Sequence, residues 1–207
     1  MIIRVLLCAV ILTISFITAQ TGLVISEYDV NIYIDNYKSV RACVVMGALN
    51  NGTEDIADIK MILPINAYNV TINDTTGLLK FTTFFINGRR RINIILNKKI
   101  EAASSRKIWI KFMLRNSITK IGDEEYIFTL RYINMNYIRG MKIALYLPDK
   151  TVPDGTLKSN VTEPLIFPEA RIDKESSRYA VKWRFEELLP FQEHFIYTRF
   201  KAREECK

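Results

Sequence analysis

The chain is poor in the residues that build metal and thiol chemistry. It has one histidine and three cysteines in 207 residues, and the mature chain cannot assemble a zinc site that needs three or four His or Cys ligands. Metal catalysis is therefore not expected, and no cofactor is implied. Helical periodicity is almost absent. Beyond Phe16 no apolar run approaches the ~20 residues of a spanning helix, which excludes a multi-span membrane protein. No Gly-x-Ser-x-Gly nucleophile motif occurs. What is present is ordinary globular composition, 49% hydrophobic and 25% charged, which excludes a disordered or collagenous chain.

The N-terminus has Arg4, an apolar stretch from Val5 to Phe16 and a small residue at Ala19. A single positive charge, a short apolar core and a small residue at the cut describe a secretory signal peptide over residues 1–19. The alternative is an uncleaved N-terminal helix that anchors the chain. Either way an extracytoplasmic location, secreted or cell-surface, is expected. Removing Arg4 with the leader takes the formal net charge from +7 to +6. That balance suits an anionic surface as partner, and export disfavours nucleic acid. Cys8 leaves with the leader, so Cys43 and Cys206 remain. Their positions, one in an early strand and one in the tail, argue against a disulfide.

Short runs rich in Ile, Val, Tyr, Phe and Thr recur every 8 to 14 residues between Asn, Gly, Asp and Pro clusters, the pattern of an all-β sandwich or barrel. Tyr28, Val30, Ile32 and Ile34 alternate with polar partners on a half-buried strand. Asn87-Gly88, between Leu79–Ile86 and Arg91–Leu96, predicts a two-residue type I′ hairpin. About seven strands precede Asn116, the size of one immunoglobulin-like sandwich, and a second set follows. The two sets echo each other: Leu63-Pro64 and Leu147-Pro148 each close an apolar strand, and Phe112 and Phe200 close later ones. Constant spacing suggests tandem duplication. The expected architecture is all-β, two tandem immunoglobulin-like β-sandwiches at 20–116 and 117–203, joined near Ile118 to Gly122, with a charged tail at 204–207.

The stretch Trp183 to Pro190, followed by a strand closing at Phe200, resembles the final hairpin of immunoglobulin-like modules in archaeal and bacterial surface proteins, with Phe191 and Gln192 standing where that pattern has Gly-Glu. Leu63-Pro64, Asn69 to Thr71, Asp74 and Gly77-Leu78, with the later Gly140-Met141 and Leu145 to Pro148, are similar to ectodomains of archaeal membrane-anchored or cell-surface proteins. The resemblance implies β-sandwich ectodomains. It does not carry a regulatory role, because the transmembrane helix and DNA-binding part of some of those proteins are not in this sequence.

Four triplets fit N-glycosylation, at Asn51, Asn69, Asn73 and Asn160. Arg89, Arg90 and Arg91 form the densest positive patch. They read either as an anion-binding hairpin tip, since guanidinium groups suit phosphate, sulfate or carboxylate, or as charges that keep an edge strand soluble. His194, the lone histidine, is expected at the surface or in the edge of the last strand. Asp123, Glu124 and Glu125 are expected as a solvated turn. The function that fits is a non-catalytic surface or secreted module, structural, adhesive or sensory, engaging a protein or cell-envelope partner. The alternative is an extracytoplasmic hydrolase that uses paired carboxylates.

Overall fold

The computed structural model describes residues 22–35, 39–154 and 166–202. The signal segment at 1–19, Asn160, Cys206 and the tail at 204–207 lie outside the described residues. The strands of the first half are β1 (Leu23–Asp35), β2 (Ser39–Asn50), β3 (Ile56–Leu63), β4 (Ala67–Asp74), β5 (Gly77–Leu78), β6 (Lys80–Ile86), β7 (Arg89–Ile100) and β8 (Ser105–Leu114). Those of the second are β9 (Ile118–Lys120), β10 (Glu125–Ile133), β11 (Tyr137–Tyr146), β12 (Thr151–Pro153), β13 (Ile166–Phe167), β14 (Arg171–Glu175), β15 (Arg178–Leu188) and β16 (Glu193–Ala202). The all-β expectation holds. Tyr28, Val30, Ile32 and Ile34 point inward on β1, and the intervening residues are half-buried.

Among the described residues the strands form three sheets. The largest has eight strands in the order β14-β15-β11-β1-β2-β8-β4-β5. A second follows β12-β16-β10-β9, with β13 also on β16, and a third follows β3-β7-β6. The first and second halves therefore meet inside one sheet, contrary to the expected division into separate sandwiches at 20–116 and 117–203. β1 and β11 run parallel, with Tyr28 opposite Met141, Val30 opposite Ile143 and Ile32 opposite Leu145. A strand at the edge of a half-sized sheet leaves its N–H and C=O groups unpaired, and this ladder satisfies both edges at once. The duplication reading rested on the division and falls with it. The expected joint at Ile118 to Gly122 is also corrected, because β9 pairs with β10, Ile118 facing Phe128.

One core unites the three sheets. Inward residues of the large sheet, such as Ile32, Val44, Ile110 and Ile143, belong to the same buried cluster as Ile59, Ile92 and Ile94 of the three-stranded sheet and Phe128, Ile196 and Phe200 of the third. At the seam Tyr28 of β1 meets Tyr132 of β10 with ring centroids 5.6 Å apart. Burial pushes the Tyr28 hydroxyl up to about 12, opposed by its hydrogen bond to Tyr132. Burial likewise raises Tyr132 well above its ordinary value. Trp183 is 3% exposed, and its Nε1–H donates to the Pro168 carbonyl at 2.8 Å, as the strand phase requires.

The corner after β15 explains a departure from the resembled pattern. Gln192 N donates to Leu189 O at 3.3 Å, with Pro190 and Phe191 between them and Phe191 at a φ of 64°. A turn with Pro first and positive φ second favours glycine at that second place. Phe191 occupies it and packs against Ile62, Ile133 and Met135, so packing offsets the backbone strain.

Candidate anion-binding cleft

A cavity of about 550 Å³ opens where the three sheets meet. Its walls come from the Asn87 to Arg90 hairpin tip, the turn after β3, the end of β8, and the facing strands β10 and β16. The tip forms as its sequence demands. Ile86 pairs with Arg89 across a two-residue loop, and Asn87 and Gly88 have φ of 51° and 69°, the left-handed conformation a type I′ turn needs.

Four guanidinium groups line the cavity: Arg89, Arg90, Arg115 and Arg131. Arg90 Nη1 donates to the Ala67 carbonyl, tying the tip to the start of β4, while its Nε is buried without a hydrogen-bond partner. Arg115 lies over the Tyr68 ring at 4.4 Å, a cation–π contact that fixes its direction. Its backbone is held by Asn66, whose carbonyl accepts from Arg115 N at 3.1 Å and whose Nδ2 donates to Ser117 Oγ at 2.9 Å. Arg131 pairs with Glu193, and the hydrogen bond and charge of Glu193 raise its pKa. Ile65 and Phe195, both exposed, stand among the lining residues. Among the described residues this lining includes no carboxylate and one hydroxyl, Thr129. The arrangement suits binding of an anionic group by charge-assisted hydrogen bonds.

The structure thus places Arg89 and Arg90 of the expected tip in the cleft but not Arg91. Arg91 is buried in β7 between Phe84 of β6 and Ile62 of β3, and its Nε and Nη2 lack hydrogen-bond partners. The edge-strand reading of these arginines is corrected too, because β7 lies between β3 and β6. Arg115 and Arg131 were not singled out by sequence; each is a lone arginine in an unremarkable run, and only the meeting of the sheets joins them to the tip.

The remaining candidates lie apart. Asn51, Asn69 and Asn73 are exposed, and Asn69 has a φ of 49° beside a register shift in the β4/β8 ladder. Cys43 is a free, half-buried thiol in β2. His194 sits in β16 between the Tyr132 and Phe185 rings, at 6.3 and 5.4 Å, and burial lowers its pKa. Asp123 and Glu124 are exposed, whereas Glu125 pairs with Lys201 at 2.6 Å and with Arg199. Arg199 also meets the buried Asp154 at 2.8 Å. Hydrogen bonds from Lys201 and Arg199 lower Glu125, and burial raises Asp154. These two carboxylates are held on one guanidinium in an ion-pair network.

No family model matches the chain, and no curated protein matches it. Among solved structures it is similar to the M1 zinc metallopeptidase of Deinococcus radiodurans, at 6% identity and a TM-score of 0.53 over 89% of this chain and 43% of that one. A mutant of that enzyme bound to a Tyr-Ser-Ala substrate gives 6% identity and a TM-score of 0.55 over the same shares. The chain spans 43% of the length of these proteins, and the likeness concerns the fold alone. The residues present do not fit a zinc centre: among the described residues no three His, Cys, Asp or Glu side chains gather, and the lone histidine is wedged between aromatic rings.

Proposed function

We propose that this chain is a non-catalytic extracytoplasmic recognition protein, secreted or held at the cell surface, that engages an anionic group of a protein or cell-envelope partner through the arginine-lined cleft. The observation that carries this reading is the convergence of Arg89, Arg90, Arg115 and Arg131 on one cavity. Guanidinium groups recognise carboxylate, sulfate or phosphate by directed pairs of hydrogen bonds, and the cavity is large enough for a ligand group to enter rather than touch a flat surface. The signal-like leader supports export, and the exposed sequons at Asn51, Asn69 and Asn73 suit a glycoprotein.

Titration calorimetry with sucrose octasulfate, a compact polyanion, tests the reading. The wild-type protein binds it in a salt-sensitive way, and Arg89→Glu with Arg115→Glu weakens binding by at least about tenfold. Failure of the wild type to bind, or equal binding by the double variant, overturns the assignment of the cleft.

A further inference from the structure

The three-stranded sheet has two edges, and the protein treats them differently. The β3 edge is covered: Asn136 Nδ2 donates to the Lys60 carbonyl at 2.8 Å, and Ile62 is buried against Ile133 and Met135. β6, at the other edge, has no further strand beside it among the described residues. Its last three residues are apolar and exposed, Phe84 at 38%, Phe85 at 64% and Ile86 at 38%. Exposed edges are normally protected by proline, a bulge or a central charge. β6 has none of these, and its one charge, Lys80, lies at the far end.

The register shows which backbone groups this edge offers. Ile86 and Arg89 close the two-residue hairpin, and such a closing pair exchanges both backbone hydrogen bonds. Alternation then turns the N–H and C=O of Phe85 and Thr83 outward, away from β7. The same hairpin continues into Arg89 and Arg90, which make no ion pair among the described residues, although the charge of Arg89 helps to lower the Glu193 carboxyl. Buried nitrogens of Arg90 and Arg91 lack hydrogen-bond partners. A row of outward backbone groups, apolar side chains beside it and the guanidinium groups of Arg89 and Arg90 at one end lie on one hairpin, whose tip is also a wall of the cleft.

We propose that the occupant of the cleft is an extended acidic segment of a partner polypeptide that adds as an antiparallel strand to β6 and carries its carboxylates to the arginines at the hairpin tip. This rests on the anion-binding reading of the cleft. Backbone groups spaced as in a strand are matched by another backbone, not by a glycan or a lipid. Antiparallel pairing places the N-terminal end of the added segment at the tip, so its acids come first and alternating β-branched residues follow along Phe85 and Thr83.

Fluorescence anisotropy with a C-terminally labelled peptide, acetyl-Glu-Glu-Val-Thr-Val-Thr-Val, tests this. The peptide binds the full chain. N-methylation of the peptide nitrogens that face β6, or Lys in place of Glu, weakens it by about tenfold or more. Thr83→Pro removes an outward N–H without touching the β7 ladder; it weakens the peptide similarly and leaves sucrose octasulfate binding unchanged, whereas Arg89→Glu weakens both. If Thr83→Pro does not fold by circular dichroism, the N-methylated peptide decides alone. Peptide binding indifferent to N-methylation overturns the strand-addition proposal. Octasulfate binding without peptide binding overturns it while leaving the anion-binding cleft standing, and loss of both overturns the two together. Capture by phosphatidylglycerol vesicles in place of the peptide assigns the surface to lipid and also overturns it.

Discussion

A substitution in the first half of the chain should destabilise a reporter in the second, because the eight-stranded sheet connects them through β8, β2, β1, β11 and β15 in unbroken sequence. Ile110 in β8 is fully buried, opposite Val44 on one side and Ile72 on the other. Truncation to alanine removes three carbons from a packed core and costs roughly 2–5 kcal/mol. The chain has two tryptophans, Trp109 on β8 and Trp183 on β15, so Trp109→Phe leaves Trp183 as the only indole. With a urea slope of about 3 kcal/mol/M, a loss of about 3 kcal/mol moves the midpoint by about 1 M. In the Trp109→Phe background, Ile110→Ala should shift the Trp183 fluorescence transition and the far-ultraviolet circular dichroism transition together, by that amount. A Trp183 transition that stays in place while a separate transition moves would show that the halves unfold independently, and the parallel β1/β11 ladder would not be a structural bond between them.

Stability should fall at alkaline pH through the Tyr28–Tyr132 pair. Unfolded tyrosine loses its proton near pH ~10, while burial holds the folded Tyr28 hydroxyl to about 12, so the contribution is complete below pH ~10 and lost on rising through that window. Melting temperature against pH should be flatter in Tyr28→Phe with Tyr132→Phe, and an equally steep fall in both proteins refutes the assignment. Asp74 behaves oppositely. Burial pushes its carboxyl up, but Thr76 and Arg106 more than offset this and hold it below the usual carboxylate range. Its contribution is present above that range and disappears as pH falls through the folded value, so Asp74→Asn should reduce the acid-side loss in urea titrations; unchanged acid sensitivity counts against it. Gly88→Ala should cost about 1 kcal/mol for a purely conformational reason, since φ is 69° and an added Cβ would meet nothing within 4 Å. An unchanged urea midpoint would place the turn in another conformation.

The strands were legible because their signal is local. Tyr28, Val30, Ile32 and Ile34 alternate within one short run, and the pleat turns that alternation directly into an inner and an outer face. The Asn87-Gly88 turn was legible for the same reason, as was the burial of Trp183 between outward Lys182 and Arg184. Phe191 shows where a local rule yields: its turn position favours glycine, yet contacts with Ile62, Ile133 and Met135, distant in sequence, hold a phenylalanine there.

By itself the amino-acid sequence determined that the described chain is built of strands, which residues of most strands face inward, and that positive charge gathers at one hairpin. Strand partnership was decided only in three dimensions. Periodicity states that β1 and β11 each need a neighbour but not that each is the other's, because any apolar strand of matching phase satisfies the same alternation. Two half-sized sandwiches and one shared sheet therefore predict the same pattern of side chains, and the backbone ladder alone separates them. The cleft follows from that choice. Arg115 and Arg131 reach Arg89 and Arg90 because the three sheets converge at one end, and no spacing along the chain encodes that convergence.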